Sequence, residues 1–171
     1  DRMIDYVSRA EEYIGERYAA AETAAIPAPD RDQVLPLLRG ALSQVDSANS
    51  PAHFSLDLRE GEELVAALAR SDAKELLVSG VLTPDHVIRT KNYPLYLDFT
   101  GLTAEDDIAG AIGKAIEAYQ QQYISYFDEQ VKAKKVDKVR LDSMPRVILV
   151  RGLGLIGVGA NLKSAAIAAD I

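Results

Sequence analysis

Residues 145–161 read Pro145-Arg146-Val147-Ile148-Leu149-Val150-Arg151-Gly152-Leu153-Gly154-Leu155-Ile156-Gly157-Val158-Gly159-Ala160-Asn161, and the fold turns on how this stretch is taken. It holds a G-x-G-x-x-G at Gly152, Gly154 and Gly157, with Asp170 18 residues beyond Gly152. In a dinucleotide-binding βαβ unit such glycines permit a tight turn and let the backbone approach a pyrophosphate, while the acid holds the ribose. On that alternative Gly152, Gly154 and Gly157 would be cofactor-binding residues. Three features oppose it. The residues between the glycines are leucine, isoleucine and valine, which suit a second buried strand better than a phosphate-facing turn. A helix can start only after Gly159, too late for its N-terminus to meet a phosphate held at Gly152–Gly154. No second strand of a βαβ unit follows within the 171 residues. The stretch therefore predicts a hairpin: Val147–Val150 out, a glycine turn, Leu155–Val158 back, then a helix from Asn161.

Working outward, the pattern before the hairpin is also α/β. Phe54, Leu56 and Leu58 alternate with polar residues, as in a half-buried strand, and Glu62–Arg70 reads as a short helix. Thr83-Pro84-Asp85 is a helix start, with threonine as N-cap, proline at the first helical position and an acid in the first turn. Tyr93–Phe99 reads as a strand. Thr103 with Asp106 opens the longest helix in the manner of a capping box, and Ile108, Ile112, Ile116, Tyr119, Tyr123 and Phe127 follow at spacings of three and four. That aromatic stripe reads as core packing. Lys132–Arg140 reads as a basic, solvated connection.

Further upstream, residues 2–20 carry Ile4, Val7, Ile14 and Tyr18 near helical spacing, and Thr23–Asp30 with its two prolines reads as a linker. A second helix is expected over 31–46, with Val34, Leu35, Leu38 and Leu42 on its apolar side and Pro36 in the first turn. Asp46–Pro51 reads as a loop. Residues 1–50 are thus expected to form a helical arm and linker, and 51–171 an α/β domain. Asp1 is not an initiator methionine, and Ala165–Ile171 carries no helix-stop residue. The chain is accordingly expected to be a piece of a larger protein, truncated in its last helix.

Composition narrows the function classes. The 171 residues are 48% hydrophobic and 26% charged, enough for one ordinary globular domain. A net charge of −7 argues against nucleic-acid binding. There is no cysteine, which removes disulfides, thiolate nucleophiles and cysteine-ligated zinc together. The two histidines, His53 and His86, cannot supply a three-histidine metal site. No stretch reads as a signal peptide or a bilayer span, so no membrane association and a cytoplasmic location are expected.

A strand, a turn, a strand ending in Val-Gly and an alanine-rich helix resemble the end of the class II aldolase/adducin fold. In that fold the turn usually holds His-Gly, whose histidine is the last zinc ligand; here leucine stands where the histidine would be expected. Thr83-Pro84-Asp85-His86-Val87-Ile88-Arg89-Thr90-Lys91 and Pro145–Val150, running into the glycines and Ala165–Ile171, sharpen the match. They resemble the bifunctional rhamnulose-1-phosphate aldolase/alcohol dehydrogenase family, a class II aldolase-like region fused to a short-chain dehydrogenase/reductase. The resemblance implies a three-layer mixed sheet flanked by helices. It implies zinc and NAD(P) in the neighbouring regions of the parent protein, and none in this segment. Residues 2–18 would be the closing helix of the first region. The segment itself is expected to be a degenerate, metal-free and non-catalytic domain that links the two enzyme halves and helps a homo-oligomer form.

One segment could still bind a ligand. On a short helix His86 and Arg89 share a face, Lys91 follows at the exit, and Thr83 sits at the helix start, a plausible grip for a sugar phosphate or carboxylate in a shared aldolase site. The competing reading has Asp85, Arg89 and Lys91 in surface ion pairs and His86 capping or packing. Asp57 and Asp98, at strand ends, read as structural acids.

Overall fold

The computed structural model describes residues 2–17, 26–44, 53–102 and 104–171. In chain order the elements are α1 (Arg2–Arg17), α2 (Arg31–Gln44), β1 (Ser55–Arg59), α3 (Glu62–Ala69), α4 (Ala73–Leu77), α5 (Pro84–Thr90), β2 (Leu95–Leu97), α6 (Glu105–Lys134), β3 (Val147–Val150), β4 (Gly154–Gly159) and α7 (Leu162–Asp170). The four strands form one open mixed sheet in the order β1-β4-β3-β2. The expected hairpin lies at its centre: β3 and β4 pair antiparallel, with Ile148 opposite Ile156. β1 adds antiparallel to β4, and β2 adds parallel to β3.

Strand alternation sends the two sets of β4 residues to different layers. Ile156 and Val158, with Ile148 and Val150, enter a core closed by α2 and α6. On the opposite face Gly157 and Gly159 lie against α7. The result is the expected three-layer α/β arrangement. α6 contributes Ile108, Ile112, Ile116 and Tyr119 from one buried stripe, and α2 contributes Val34, Leu38 and Leu42, all fully buried. α7 starts where the sequence says it should. Asn161 accepts from Ser164 N at 2.9 Å, and Ser164 Oγ accepts from Asn161 N at 3.1 Å, a reciprocal cap.

Several expectations change. The two helices of the arm part company: α2 belongs to the core, whereas α1 leaves Ile4 65%, Val7 55% and Ile14 59% exposed. Pro36 lies inside α2 rather than in its first turn. It sits on the exposed side, where the carbonyl of Asp32 that loses its helical partner can meet water. β2 is shorter than Tyr93–Phe99. Pro94 has no N–H to give the ladder, and Asp98 Oδ1 accepts from Thr100 N at 2.9 Å, turning the chain out of the strand. α6 begins at Glu105 after Ala104, which offers no side-chain cap; Thr103 lies outside the described residues. It ends at Lys134, with Lys135 left-handed, and residues 132–140 are exposed, as a solvated connection should be. α4 is a short helix that the sequence pattern does not predict. Tyr18, the first residues of the linker and the loop at 46–51 lie outside the described residues.

Candidate functional site

α5 is short, and its two ends behave differently. At the start Thr83 Oγ1 accepts from His86 N at 3.4 Å and lies 2.6 Å from His86 Nδ1, while Pro84 occupies the first turn. Thr83 and His86 are thereby a local capping pair. At the exit Lys91 N donates to Val87 O at 3.1 Å, closing the last turn. Thr90 Oγ1 donates to His86 O at 2.8 Å.

Lys91 then takes φ 63° and ψ −175°, a backbone region that glycine alone enters freely. For another residue it costs about 1–3 kcal/mol. This strain carries the side chain inward, where it is 2% exposed. Lys91 Nζ donates to the backbone oxygen of Asp142 and lies 3.7 Å from Asp142 Oδ1. The amine also sits 4.1 Å from the centroid of the Tyr123 ring. Burial, and after it the Arg146 guanidinium, push its pKa down to about 8 against the pull of Asp142. Asp142 is held mainly by Arg146, which bonds its Oδ2. Burial pushes that carboxyl up, but the Arg146 hydrogen bond and charge outweigh it, and Asp142 titrates below the usual carboxylate range.

Thr83, His86 and Lys91 line one cavity of about 450 Å³ over Leu149 and Leu155 on the α7 side of the sheet; Arg89 is not among its lining residues. Three of the four sequence-selected residues thus share one cavity, and Arg89 stands outside it. Two make a cap, one is exposed, and the lysine is committed to the interior. The partners that define Lys91 are Tyr123, Asp142 and Arg146, none of which the sequence singled out as site residues. One signal was available: α5 must stop before Pro94, yet Thr90-Lys91-Asn92 contains no glycine to turn the chain.

The glycine run is spent on packing. At Gly157 a Cβ would stand 2.1 Å from Ala165 O, and at Gly154 2.2 Å from Arg59 O. Gly152 takes φ 75° in the hairpin turn. At Gly154 and Gly157 neighbouring backbone occupies the space that a side chain would need. Leu153, in the turn itself, is buried in the core. Asp98 pairs with Arg151 Nη1 at 2.9 Å, and Arg59 lies 2.9 Å from Asp57 and 2.7 Å from Asp170. Tyr119 donates to Tyr93 O at 3.0 Å, and its burial pushes the phenol well above its usual range.

Residues 29–171 match the family described as Aldolase class II, second domain. The chain belongs to that family. It is also similar to the "Uncharacterized oxidoreductase YuxG" of Bacillus subtilis (strain 168), 26% identical over 171 residues that cover 94% of this chain and 24% of that protein. The chain thus spans about a quarter of the length of this relative. No solved structure matches it.

Among the described residues of this class II aldolase second domain, the donors do not assemble as a zinc site would require. His53 and His86 line separate cavities. Among the described residues no three histidine, aspartate or glutamate side chains converge on a point that could hold a metal ion. Nor do any described helices have the length and apolarity to cross a membrane.

Proposed function

We propose that this class II aldolase second domain is a structural and oligomerisation module of a longer bifunctional protein. In that protein a zinc-dependent class II aldolase-like region precedes it and a short-chain dehydrogenase/reductase follows, as in the rhamnulose-1-phosphate aldolase/alcohol dehydrogenases. The observation that carries this reading is the donor set: the hairpin turn, where the resemblance expects a histidine ligand, puts Leu153 into the core. The aldol chemistry of class II enzymes needs a Lewis acid to hold the developing enediolate. This domain's own residues instead build a hydrophobic body and capped helices.

The relative's name as an oxidoreductase agrees with a dehydrogenase elsewhere in the longer protein. α1 precedes the family match, and its amphipathic face is exposed. Ile4, Val7 and Ile14 on that face are each more than half exposed. The helix therefore serves as the contact to the neighbouring aldolase-like region and between copies of the chain.

Calorimetric titration of the protein with zinc tests the first part. No stoichiometric binding is expected, and one tightly bound ion per chain would sink the reading. Sedimentation of the protein with and without residues 1–28 tests the second. The intact chain should sediment as an oligomer and the shortened one as a monomer; identical behaviour removes the role given to α1.

A further inference from the structure

Lys91 stands apart from the other lysines of the chain in both its backbone conformation and its burial. Glycine would make the turn after α5 without strain, whereas lysine at φ 63° and ψ −175° keeps a side chain at the cost of that strain. The other seven lysines of the chain are exposed, and this one is not. Its amine rests on the face of Tyr123 and on the backbone oxygen of Asp142. The charged groups facing it are Asp142, already bonded by Arg146, and Arg146 itself, while Lys134 and Lys138 line the adjoining cavity. Lys91 also lines a second cavity, of about 460 Å³, walled by Val87 and Ile88 of α5 and Tyr126, Phe127 and Val131 of α6. A pocket of that size and apolarity suits a small ring or a short hydrocarbon chain.

We propose that Lys91 is a carbonyl-capturing amine, whose Nζ condenses with an apolar aldehyde seated between Val87, Ile88, Tyr126 and Phe127 to form an imine. The neutral amine attacks the carbonyl carbon, making the C–N bond while the carbonyl π pair moves to oxygen. A proton passing from nitrogen to that oxygen gives the carbinolamine. Its hydroxyl, protonated from solvent, leaves as water, and the nitrogen lone pair closes the C=N bond of a protonated imine. Nothing is oxidised or reduced, and hydrolysis reverses the step. The Tyr123 face and the Asp142 carbonyl stabilise the iminium cation as they do the ammonium. The lowered pKa supports this, since about a tenth of an amine with a pKa near 8 is neutral at pH 7. The site needs no metal and stands independently of the structural role proposed above.

Reductive trapping tests it. The intact protein at pH 7 is treated with benzaldehyde and cyanoborohydride, and the benzylated lysines are mapped by peptide mass spectrometry over time. Lys91 should be labelled at least about tenfold faster than any exposed lysine. Glycolaldehyde, which has no apolar body, should lose that preference. Lys91→Arg should remove the fast label and leave the other seven unchanged. Should that variant fail to fold, the wild-type protein in urea replaces it, and unfolding should abolish the preference. Labelling of Lys91 at or below the rate of the exposed lysines, or a preference that persists in urea, overturns the proposal. Equal preference for glycolaldehyde overturns the assignment to the apolar cavity.

Discussion

Along Gly152–Gly159 side chains are missing where two backbones must come close; at Lys91 a side chain is kept where the backbone would be easier without one. Both stretches carry residue types associated with ligands. In β4 the glycines let α7 settle on the sheet, with Ala165 O where a Cβ of residue 157 would stand. After α5 the cost runs the other way, and the backbone is strained so that an amine can lie between Tyr123 and Asp142. Absence of a side chain at a close approach is a packing device. Retention of a charged one in a strained, buried place is the observation that supports the chemistry proposed for Lys91.

The sharpest way to break the comparison is Gly157→Ala. Its Cβ would fall 2.1 Å from Ala165 O and 2.9 Å from Ala169 Cβ, so α7 must shift off the sheet. A loss of about 3 kcal/mol or more is expected in urea unfolding, a large share of a domain's stability. A loss below about 1 kcal/mol would mean that the glycines are not there for packing.

The next effect is the pH dependence that Lys91 imposes. Its pKa is about 8 folded and 10.5 in the ordinary state, so between these values the unfolded chain binds more protons. Stability contributed by this group therefore rises with pH from about 8 to 10.5 and is flat outside that window. Measured as the difference between the wild type and Lys91→Met, which cancels the opposite trend of Tyr119, the rise should total about 3 kcal/mol at most. A difference that does not change over this range would show that the amine is no more buried than its neighbours on the surface.

Gly152→Ala should have the smallest effect. At φ 75° the turn is strained for alanine, but the nearest atoms, Pro27 O and Pro29 Cδ, stand 3.5 Å away. About 1 kcal/mol is expected from the backbone alone. A loss equal to that of Gly157→Ala would erase the distinction between turn glycines and contact glycines.

Much of the architecture is written in local sequence. The apolar residues between the glycines point to a strand, and β4 is one; the spacing of Ile108, Ile112, Ile116 and Tyr119 points to one buried helix face, and α6 has it. The Asn161 cap and the Thr83-Pro84 start are equally local, because a cap needs only residues within three positions of one another. The two N-terminal helices show where that legibility stops. Both are amphipathic, and α2 even carries a proline, yet α2 is in the core and α1 is exposed. Periodicity says that a helix has an apolar face and leaves open which surface covers it.

The same limit governs the candidate site. Composition alone removed a three-histidine metal centre and every cysteine chemistry, since no fold can supply residues that the chain lacks. Thr83 and His86 could be paired on paper because they are one helical turn apart. Lys91 could not be assigned from the sequence, because its partner Asp142 is 51 positions away and Tyr123 lies on another helix. Residue types and their local spacing determined the elements and the excluded chemistries. Only tertiary structure decided which lysine left water, because desolvation depends on everything packed around a group and not on its neighbours in the chain.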